Sequence, residues 1–298
     1  MINVCVYHGV DLDGYCSAAI CARATVGSTS TLVPMNYGWE VPWELFAGNN
    51  VVMLDFCLQP WTEMEKLYQV SNSLIWIDHH KSAIAAADAS ASASIHGLRD
   101  VNYAACELTW KWYYPSVAMP RGVFLLGDYD CWRHSDTRTM PYQMGARYMD
   151  LRDPKDPLWE EIFRDNDDLF IDIMSYGTTV HEWEKRQSAT VVSSGWFPAR
   201  CFDLWWMAIN RGGVNSTLWD SVWDESYDGR LAFHWRAKGY WTVSLYSDKV
   251  DCGALAASMG GGGHAGAAGF QFHGDIMTLL ERIKDEPGTR GHGGRVGQ

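Results

Sequence analysis

Residues 74–80 read Leu-Ile-Trp-Ile-Asp-His-His, an apolar run of strand length that ends in one carboxylate and two imidazoles. Short apolar runs of this kind are typical of strands buried on both faces of a parallel sheet. In open α/β folds, ligands bind outside the carboxyl ends of the strands. The stretch therefore predicts an α/β fold with Asp78, His79 and His80 at the ligand-binding edge of the sheet.

Three other segments show the same layout of an apolar run followed by potential ligands. The run at 3–7 leads to His8, Asp11 and Asp13, the run at 51–54 leads to Asp55, and the run at 123–126 leads to Asp128. We interpret all four runs as strands whose ends meet at one edge, and we predict a metal site there. Carboxylate and imidazole donors suit Mn²⁺, Mg²⁺ or Co²⁺ better than a thiolate-rich zinc site would.

These motifs, with a glycine-rich segment further along the chain, resemble those of the DHH phosphoesterases that carry a C-terminal DHHA1 domain. Residues 260–269 read Gly-Gly-Gly-Gly-His-Ala-Gly-Ala-Ala-Gly. Such a turn lets backbone N–H groups and the imidazole of His264 approach an anion closely. The resemblance covers residues from about 3 to about 272. It implies a parallel-sheet DHH domain, a smaller α/β DHHA1 domain, and an active site in the cleft between them.

The resemblance also implies two divalent metal ions, with Mn²⁺ as the first choice and Mg²⁺ or Co²⁺ as alternatives. The metal ligands would be His8 and Asp11 for the first ion, Asp13, His79 and Asp128 for the second, and Asp55 as the bridge. Beside Asp128, the residues Asp130, Trp132, Arg133 and His134 resemble a set that surrounds the metals in some branches of the family.

Catalytic and substrate-binding roles follow from the same resemblance. Asp78 would orient an imidazole, while His80 and His264 would face the substrate phosphate. The substrate-binding residues would be Gly261, Gly262, Gly263, His264, Tyr246 and Arg133. Tyr246 stands where the family usually has an arginine, so we expect it either to leave a cation missing or to stack on a base.

The order of these segments predicts two domains. Residues 1–185 would form the DHH domain, including a connector helix that begins near residue 166, and residues 195–285 the DHHA1 domain, with a disordered tail at 286–298. The predicted helices lie at 17–24, 61–70, 104–113 and 276–283, and the strands of the second domain at 205–209, 231–235 and 241–245. Residues 82–94, rich in Ala and Ser, would form a loop or a weak helix.

Composition restricts the partners. The formal net charge is −12, without a run of basic residues, and two divalent ions would not reverse it. Such a balance disfavours binding to a long phosphate backbone. No apolar stretch approaches the roughly 18 residues of a membrane-spanning helix, and the chain enters a strand without a basic leader. We therefore expect a cytoplasmic protein, with no membrane or long duplex partner, whose oligomeric state is open.

Three classes of function fit these motifs. The leading one is a phosphodiesterase that hydrolyses short oligonucleotides, or linear or cyclic dinucleotides, with a hydroxide activated by two metals. The second is a phosphomonoesterase acting on a nucleotide such as 3′-phosphoadenosine 5′-phosphate. The third, a nucleotide-binding protein with an inactive site, is disfavoured because the ligand set is complete. The length of the chain disfavours a processive RecJ-type exonuclease, and the glycine motif disfavours a type II pyrophosphatase.

Overall fold

The computed structural model describes residues 4–26, 31–90, 95–214, 216–222 and 224–282. The predicted tail at 286–298, residues 91–94 of the Ala- and Ser-rich stretch and residue 283 of the predicted last helix lie outside this part of the chain. The fold divides into two compact units, Met1–His181 and Glu182–Gln298. We refer to them as unit 1 and unit 2.

Unit 1 is built on a parallel sheet. Its strands are β1 (Val4–His8), β2 (Thr31–Met35), β3 (Asn50–Leu54) and β4 (Ser73–Ile77). Their order is β2-β1-β3-β4. The runs predicted at 3–7, 51–54 and 74–77 are therefore confirmed as strands. The edge strand β2 was not predicted, because it is half-exposed and lacks a continuous apolar run.

Apolar side chains are buried on both faces of this sheet. Val6 and Met53 pack on one face, whereas Cys5 and Val52 pack on the other. All four are 0% exposed. Burial on both faces is the reason that these strands read as continuous apolar runs and not as alternating ones.

Helices cover the sheet and extend unit 1 beyond it. They are α1 (Leu12–Ala24), α2 (Trp43–Phe46), α3 (Trp61–Val70), α4 (Lys81–Ala89), α5 (Ala105–Tyr113), α6 (Arg121–Asp130), α7 (Thr139–Tyr148), α8 (Leu158–Phe163) and α9 (Asp167–Gly195), of which α9 continues past His181 into unit 2. A second core lies among α1 and α5 to α9, where Trp110, Tyr142 and Trp159 are almost fully buried. The connector predicted from residue 166 is the helix α9.

The run at 123–126 forms the middle of helix α6, so its prediction as a fourth strand is wrong. Val123, Leu125 and Leu126 are buried in the helical core of unit 1. An apolar run of this length fits a buried helix as well as a buried strand, and tertiary packing decides between them. The difference matters for the site, because Asp128 and Asp130 are two positions apart. On a helix they point in directions roughly 200° apart.

The described part of unit 2 contains a mixed sheet. Its strands are β5 (Phe197–Cys201), β6 (Leu204–Asn210), β7 (Gly229–Arg236), β8 (Tyr240–Tyr246), β9 (Gly262–His264), β10 (Ala267–Phe272) and β11 (Glu281–Arg282). Their order is β11-β5-β6-β7-β8-β10-β9, and only the β6–β7 pair is parallel.

Short helical segments complete unit 2. They are a 3-10 turn at Ser216–Trp219 and the helices α10 (Cys252–Ser258) and α11 (Ile276–Leu279). The helix predicted at 276–283 ends at Leu279, because the chain then joins the sheet as β11. Across both units, none of the helices in the described ranges has the length and apolarity needed to cross a lipid bilayer.

Candidate metal centre

The ends of β1, β3 and β4 supply the first side chains of the site. His8 is the last residue of β1, Asp55 follows β3, and residues 78–80 follow β4. Asp55 adopts a left-handed backbone conformation with φ of 55°. A non-glycine residue in this conformation is uncommon and occurs more often at functional sites.

The turn from β1 into α1 brings two more carboxylates to the same edge. Asp11 caps α1 and accepts a hydrogen bond of 3.0 Å from the Gly14 backbone N–H, while Asp13 lies in the first helical turn. The helix starts very close to the strand, because a Cβ on Gly14 would lie 1.9 Å from the His8 carbonyl oxygen. Only glycine permits this approach, which keeps His8, Asp11 and Asp13 together.

One group of ligand atoms forms around His8. Its Nδ1 lies 2.9 Å from Asp11 Oδ2 and 3.5 Å from Asp55 Oδ2. Despite these short distances, His8 Nδ1 has no partner with hydrogen-bond geometry among the described residues. The three side chains therefore converge as ligands around a common point would.

A second group forms around His79. Its Nε2 lies 3.3 Å from Asp55 Oδ1, 3.3 Å from Asp130 Oδ2 and 3.6 Å from Asp13 Oδ2. The other ring nitrogen, Nδ1, faces the Cys131 sulfur at 3.8 Å. One oxygen of Asp55 thus faces the His8 group and the other faces the His79 group. A ligand that bridges two ions, as predicted for Asp55 from the sequence, would need this position.

Asp13 is held in place by the amino end of α5. Its two carboxylate oxygens accept hydrogen bonds from the backbone N–H groups of Ala105 and Cys106, at 2.9 and 2.7 Å. These N–H groups have no partner within the helix and carry partial positive charge, so they favour an ionised carboxylate. The contact fixes the orientation of Asp13 while leaving it beside His79.

Asp78, predicted to orient an imidazole, accepts hydrogen bonds from both residues that follow it. Its Oδ1 accepts hydrogen bonds from the backbone N–H groups of His79 and His80, at 2.7 and 3.0 Å, and from His80 Nδ1 at 2.7 Å. Its Oδ2 accepts a bond of 3.0 Å from the buried Trp76 indole, which the sequence analysis did not select. His80 is the most accessible of the three site histidines, with 33% of its side chain exposed.

Crowding of negative charge is the main electrostatic feature of the cluster. Burial, followed by the facing Asp55 carboxylate, raises the pKa of Asp13 to about 7. Burial, followed by the charge of Asp13, likewise raises the pKa of Asp130 to about 7. Burial opposes protonation of His8, but the carboxylates of Asp11 and Asp55 raise its pKa to about 10. The carboxylates therefore create a negative electrostatic potential in the cluster, which favours positive charge.

Divalent cations fit this arrangement. The donors are carboxylate oxygens and imidazole nitrogens, which suit Mn²⁺, Mg²⁺ and similar ions. Two buried atoms that face the cluster, His8 Nδ1 and Asp55 Oδ1, have no hydrogen-bond partner within the described ranges. Buried polar atoms rarely remain unpaired, so these two atoms are suited to act as metal ligands.

Asp128, predicted as a metal ligand, is not brought into the cluster. Its oxygens accept hydrogen bonds from the Ser135 hydroxyl at 2.6 Å, the Ser135 backbone N–H at 2.9 Å and the Thr139 hydroxyl at 2.5 Å. Burial disfavours its charge, but the bonds from Ser135 and Thr139 hold the pKa of Asp128 below its usual range. Its carboxylate secures the loop between α6 and α7, whereas Asp130 faces His79.

Arg133, predicted to bind substrate, is also engaged inside unit 1. Its guanidinium donates 2.8 Å to the buried Glu107 carboxylate and 3.0 Å to the Asn102 carbonyl, and lies 3.4 Å from Asp128. Because a buried carboxylate without its cation is costly, Arg133 is needed where it is. Its contacts indicate a structural role beside the site.

The glycine motif of unit 2 forms a β-hairpin and not an open loop. Strands β9 and β10 pair Gly262 with Gly269 and His264 with Ala267. Gly263 has a φ of 144°, and a Cβ there would lie 2.5 Å from the Ala268 backbone. Gly261, Gly262, Gly263 and His264 are all exposed, so they are accessible to a ligand.

Tyr246, predicted to bind substrate, is buried. Only 8% of it is exposed, it packs in the core with Met207 and Trp219, and its hydroxyl donates 3.1 Å to the Val214 carbonyl. A ring in this position has no free face, so stacking of Tyr246 on a base is not compatible with the structure.

Comparisons with known proteins agree with this fold. Two solved structures align over 93% of the chain: PggH of Vibrio cholerae, described as a pGpG-specific phosphodiesterase, and an exopolyphosphatase-related protein of Bacteroides fragilis. For PggH the TM-score is 0.55, the sequence identity is 12%, and the alignment covers 95% of its chain. For the Bacteroides fragilis protein the TM-score is 0.54, the sequence identity is 15%, and the alignment covers 88% of its chain. The chain has the DHH-phosphoesterase fold. The α/β fold predicted from the motifs is therefore confirmed.

A sequence relative comes from a virus. The uncharacterized protein R106 of Acanthamoeba polyphaga mimivirus is 23% identical over 313 aligned residues, which cover 95% of this chain and 71% of R106. No family model matches the chain. The DHH-type fold thus rests on the motifs and on the structural similarity.

Proposed function

We propose that the chain is a divalent-metal-dependent phosphodiesterase that acts on short oligonucleotides or dinucleotides. The observation that carries this proposal is the position of Asp55, with Oδ2 at 3.5 Å from His8 and Oδ1 at 3.3 Å from His79. One carboxylate between two histidine-containing groups is the arrangement expected of a ligand shared by two ions. Two adjacent ions are characteristic of enzymes that hydrolyse phosphate esters.

The contacts divide the ligands into two sets. His8, Asp11 and Asp55 would hold the first ion. His79, Asp13, Asp55 and Asp130 would hold the second, with Asp130 in the place that the sequence analysis gave to Asp128. We take Mn²⁺ as the first choice because the donors combine hard oxygens with imidazole.

Bound ions of this kind lower the pKa of water and neutralise charge on phosphoryl oxygens. The chain's own residues would then position the substrate. Because Asp78 accepts from Nδ1 of His80, only Nε2 of His80 is left to reach a phosphoryl oxygen. The partial exposure of His80 supports this role. His264 lies in the exposed glycine hairpin of unit 2, where the resemblance implies a phosphate contact.

A small substrate agrees with the charge of the chain. A net charge of −12 disfavours long nucleic acids, whose binding depends on many phosphate contacts. The fold similarity to a pGpG-specific phosphodiesterase supports a dinucleotide as a member of the substrate class. A cytoplasmic location, predicted from the sequence, agrees with such a substrate.

A substrate panel tests the proposal. The purified chain is stripped of metal and then incubated with Mn²⁺, Mg²⁺ or Co²⁺ and each of five candidates: a dinucleotide, a pentanucleotide, a twenty-residue strand, a cyclic dinucleotide, and 3′-phosphoadenosine 5′-phosphate. We expect metal-dependent cleavage of the short diesters. Hydrolysis of the monoester alone would replace this function with the phosphomonoesterase alternative, and tight nucleotide binding without turnover of any candidate would favour the inactive binding protein.

A further inference from the structure

Cys131 is the most accessible thiol of the chain. All eight cysteines lie in the described ranges, where seven are buried and Cys131 is half-buried. Cys131 directly follows Asp130 at the end of α6, and its backbone N–H donates 3.0 Å to the Gly127 carbonyl. The helix end therefore holds this thiol beside the candidate metal centre, where the proposed function gives it no role.

The ring of His79 separates two kinds of ligand. Its Nε2 faces carboxylates, with oxygens of Asp55 and Asp130 both at 3.3 Å, whereas its Nδ1 faces the Cys131 sulfur at 3.8 Å. One ligand atom from each of His79, Asp130 and Cys131 lies within 4.8 Å of the other two. These three residues form a group that differs from the two proposed ligand sets because it includes sulfur.

The sulfur, nitrogen and oxygen donors of this group match the ligands of zinc. Zn²⁺ binds thiolate sulfur at about 2.3 Å and imidazole nitrogen at about 2.0–2.1 Å, in a tetrahedral arrangement. Such bonds place the two ligand atoms about 3.6 Å apart, close to the 3.8 Å between Cys131 Sγ and His79 Nδ1. Soft sulfur ligands select zinc, whereas hard oxygen ligands suit Mn²⁺ and Mg²⁺.

We propose that His79, Asp130 and Cys131 form an inhibitory zinc site, in which His79 binds through Nδ1 and water takes the fourth position. Binding breaks the S–H bond of Cys131, forms a Zn–S bond and releases the proton to the solvent. A neutral imidazole carries a proton on one nitrogen and a lone pair on the other. Zinc at Nδ1 therefore leaves the proton on Nε2, which then donates to the Asp55 carboxylate and cannot bind the proposed second ion.

Zinc in this site and the second ion are thus alternatives, because both need His79 and Asp130. The inhibition rests on the proposed phosphodiesterase function, whereas the zinc site itself does not. Binding and inhibition are therefore measured separately.

The binding experiment needs no substrate. Protein equilibrated with Mn²⁺ is titrated with Cd²⁺, a soft probe whose bond to a thiolate gives a charge-transfer absorption band in the ultraviolet. We expect the band in wild type and its loss in Cys131→Ser, and an excess of Zn²⁺ should remove it from wild type. Cys201→Ser is the matched control, because the Cys201 thiol is buried in the core of unit 2, and it should keep the band. Wild type without the band, or a band that persists in Cys131→Ser, would overturn the site.

The inhibition experiment uses the Mn²⁺-loaded protein and a short diester that it cleaves, with each rate expressed relative to the same variant without zinc. The Zn²⁺ concentration that halves the rate should rise at least about tenfold in Cys131→Ser and stay at the wild-type value in Cys201→Ser. Additional Mn²⁺ should relieve the inhibition of wild type. Equal sensitivity of Cys131→Ser and wild type would show that zinc acts through the carboxylate-rich ligand sets, and would overturn the proposal.

The two experiments also distinguish the zinc site from the proposed function. Wild-type protein that shows the Cd²⁺ band but cleaves no short diester would refute the phosphodiesterase function and with it the inhibitory role, while the band would still establish the site. Melting curves that match wild type show that both cysteine variants are folded.

Discussion

Asp55 is the residue on which the two halves of the site depend. Asp55→Asn preserves the shape of the side chain but removes the charge shared by the His8 and His79 groups. We expect bound Mn²⁺ to fall well below the wild-type stoichiometry and hydrolysis to drop by at least about 100-fold, since even residues that merely support metal ligands contribute about 10- to 100-fold. Elemental analysis after dialysis measures the metal content. Asp172→Asn, on the exposed side of α9, is the control. If the Asp55 variant kept wild-type metal content and wild-type activity, Asp55 would not be the bridging ligand.

Asp128 and Asp130 should differ in what their loss affects. Asp130→Asn removes a carboxylate 3.3 Å from His79, so it should lower the metal content with little effect on melting of the metal-free protein. Asp128→Asn leaves the hydroxyl donors of Ser135 and Thr139 facing an amide, which should cost about 1–3 kcal/mol of folding free energy. Its metal content should stay normal. The reverse pattern would restore Asp128 as the ligand.

At the scale of elements, the junction between β1 and α1 determines whether three ligands stay together. Gly14→Ala would place a Cβ against the His8 carbonyl, so α1 must move away from the strand. We expect a loss on the order of 3 kcal/mol of stability, together with weaker metal binding. Thermal unfolding and metal titration measure the two effects. Gly195→Ala, at the end of α9, would meet Ile209 at ordinary contact distances and should leave both unchanged.

Strand ends were predictable from the sequence wherever burial on both faces produces an apolar run that stops at a ligand. His8, Asp55 and Asp78 follow this pattern. The run at 123–126 has the same appearance, but it packs in a helical core, and only that packing decides which of two nearby aspartates faces His79. Burial of Tyr246 was equally beyond sequence reasoning, because alternation in a strand does not tell which face another element covers.

For the whole molecule, the charge balance leads to a prediction about substrate length. Catalytic efficiency should fall as an oligonucleotide grows beyond about five residues, because few phosphates can be neutralised by a chain with a net charge of −12. Raising the salt concentration should have only a shallow effect on KM for the same reason. Rates measured on strands of two to twenty residues, each at two salt concentrations, provide the check. Equal or faster cleavage of the longest strand, with steep salt dependence, would indicate a processive exonuclease instead.

The proposed ligands come from four stretches of chain, from His8 in the first strand to Asp130 at the end of α6. Closing such long loops is slow, and the ligands meet only after β1, β3, β4, α5 and α6 have packed. An ion therefore cannot guide folding; it can only bind once the scaffold exists. Mn²⁺ should leave the refolding rate of unit 1 unchanged and slow its unfolding, as expected for interactions absent from the transition state. Stopped-flow experiments with Mn²⁺ or with a chelator would measure the refolding rate and the unfolding rate separately. Faster refolding in the presence of the metal would contradict this order of events.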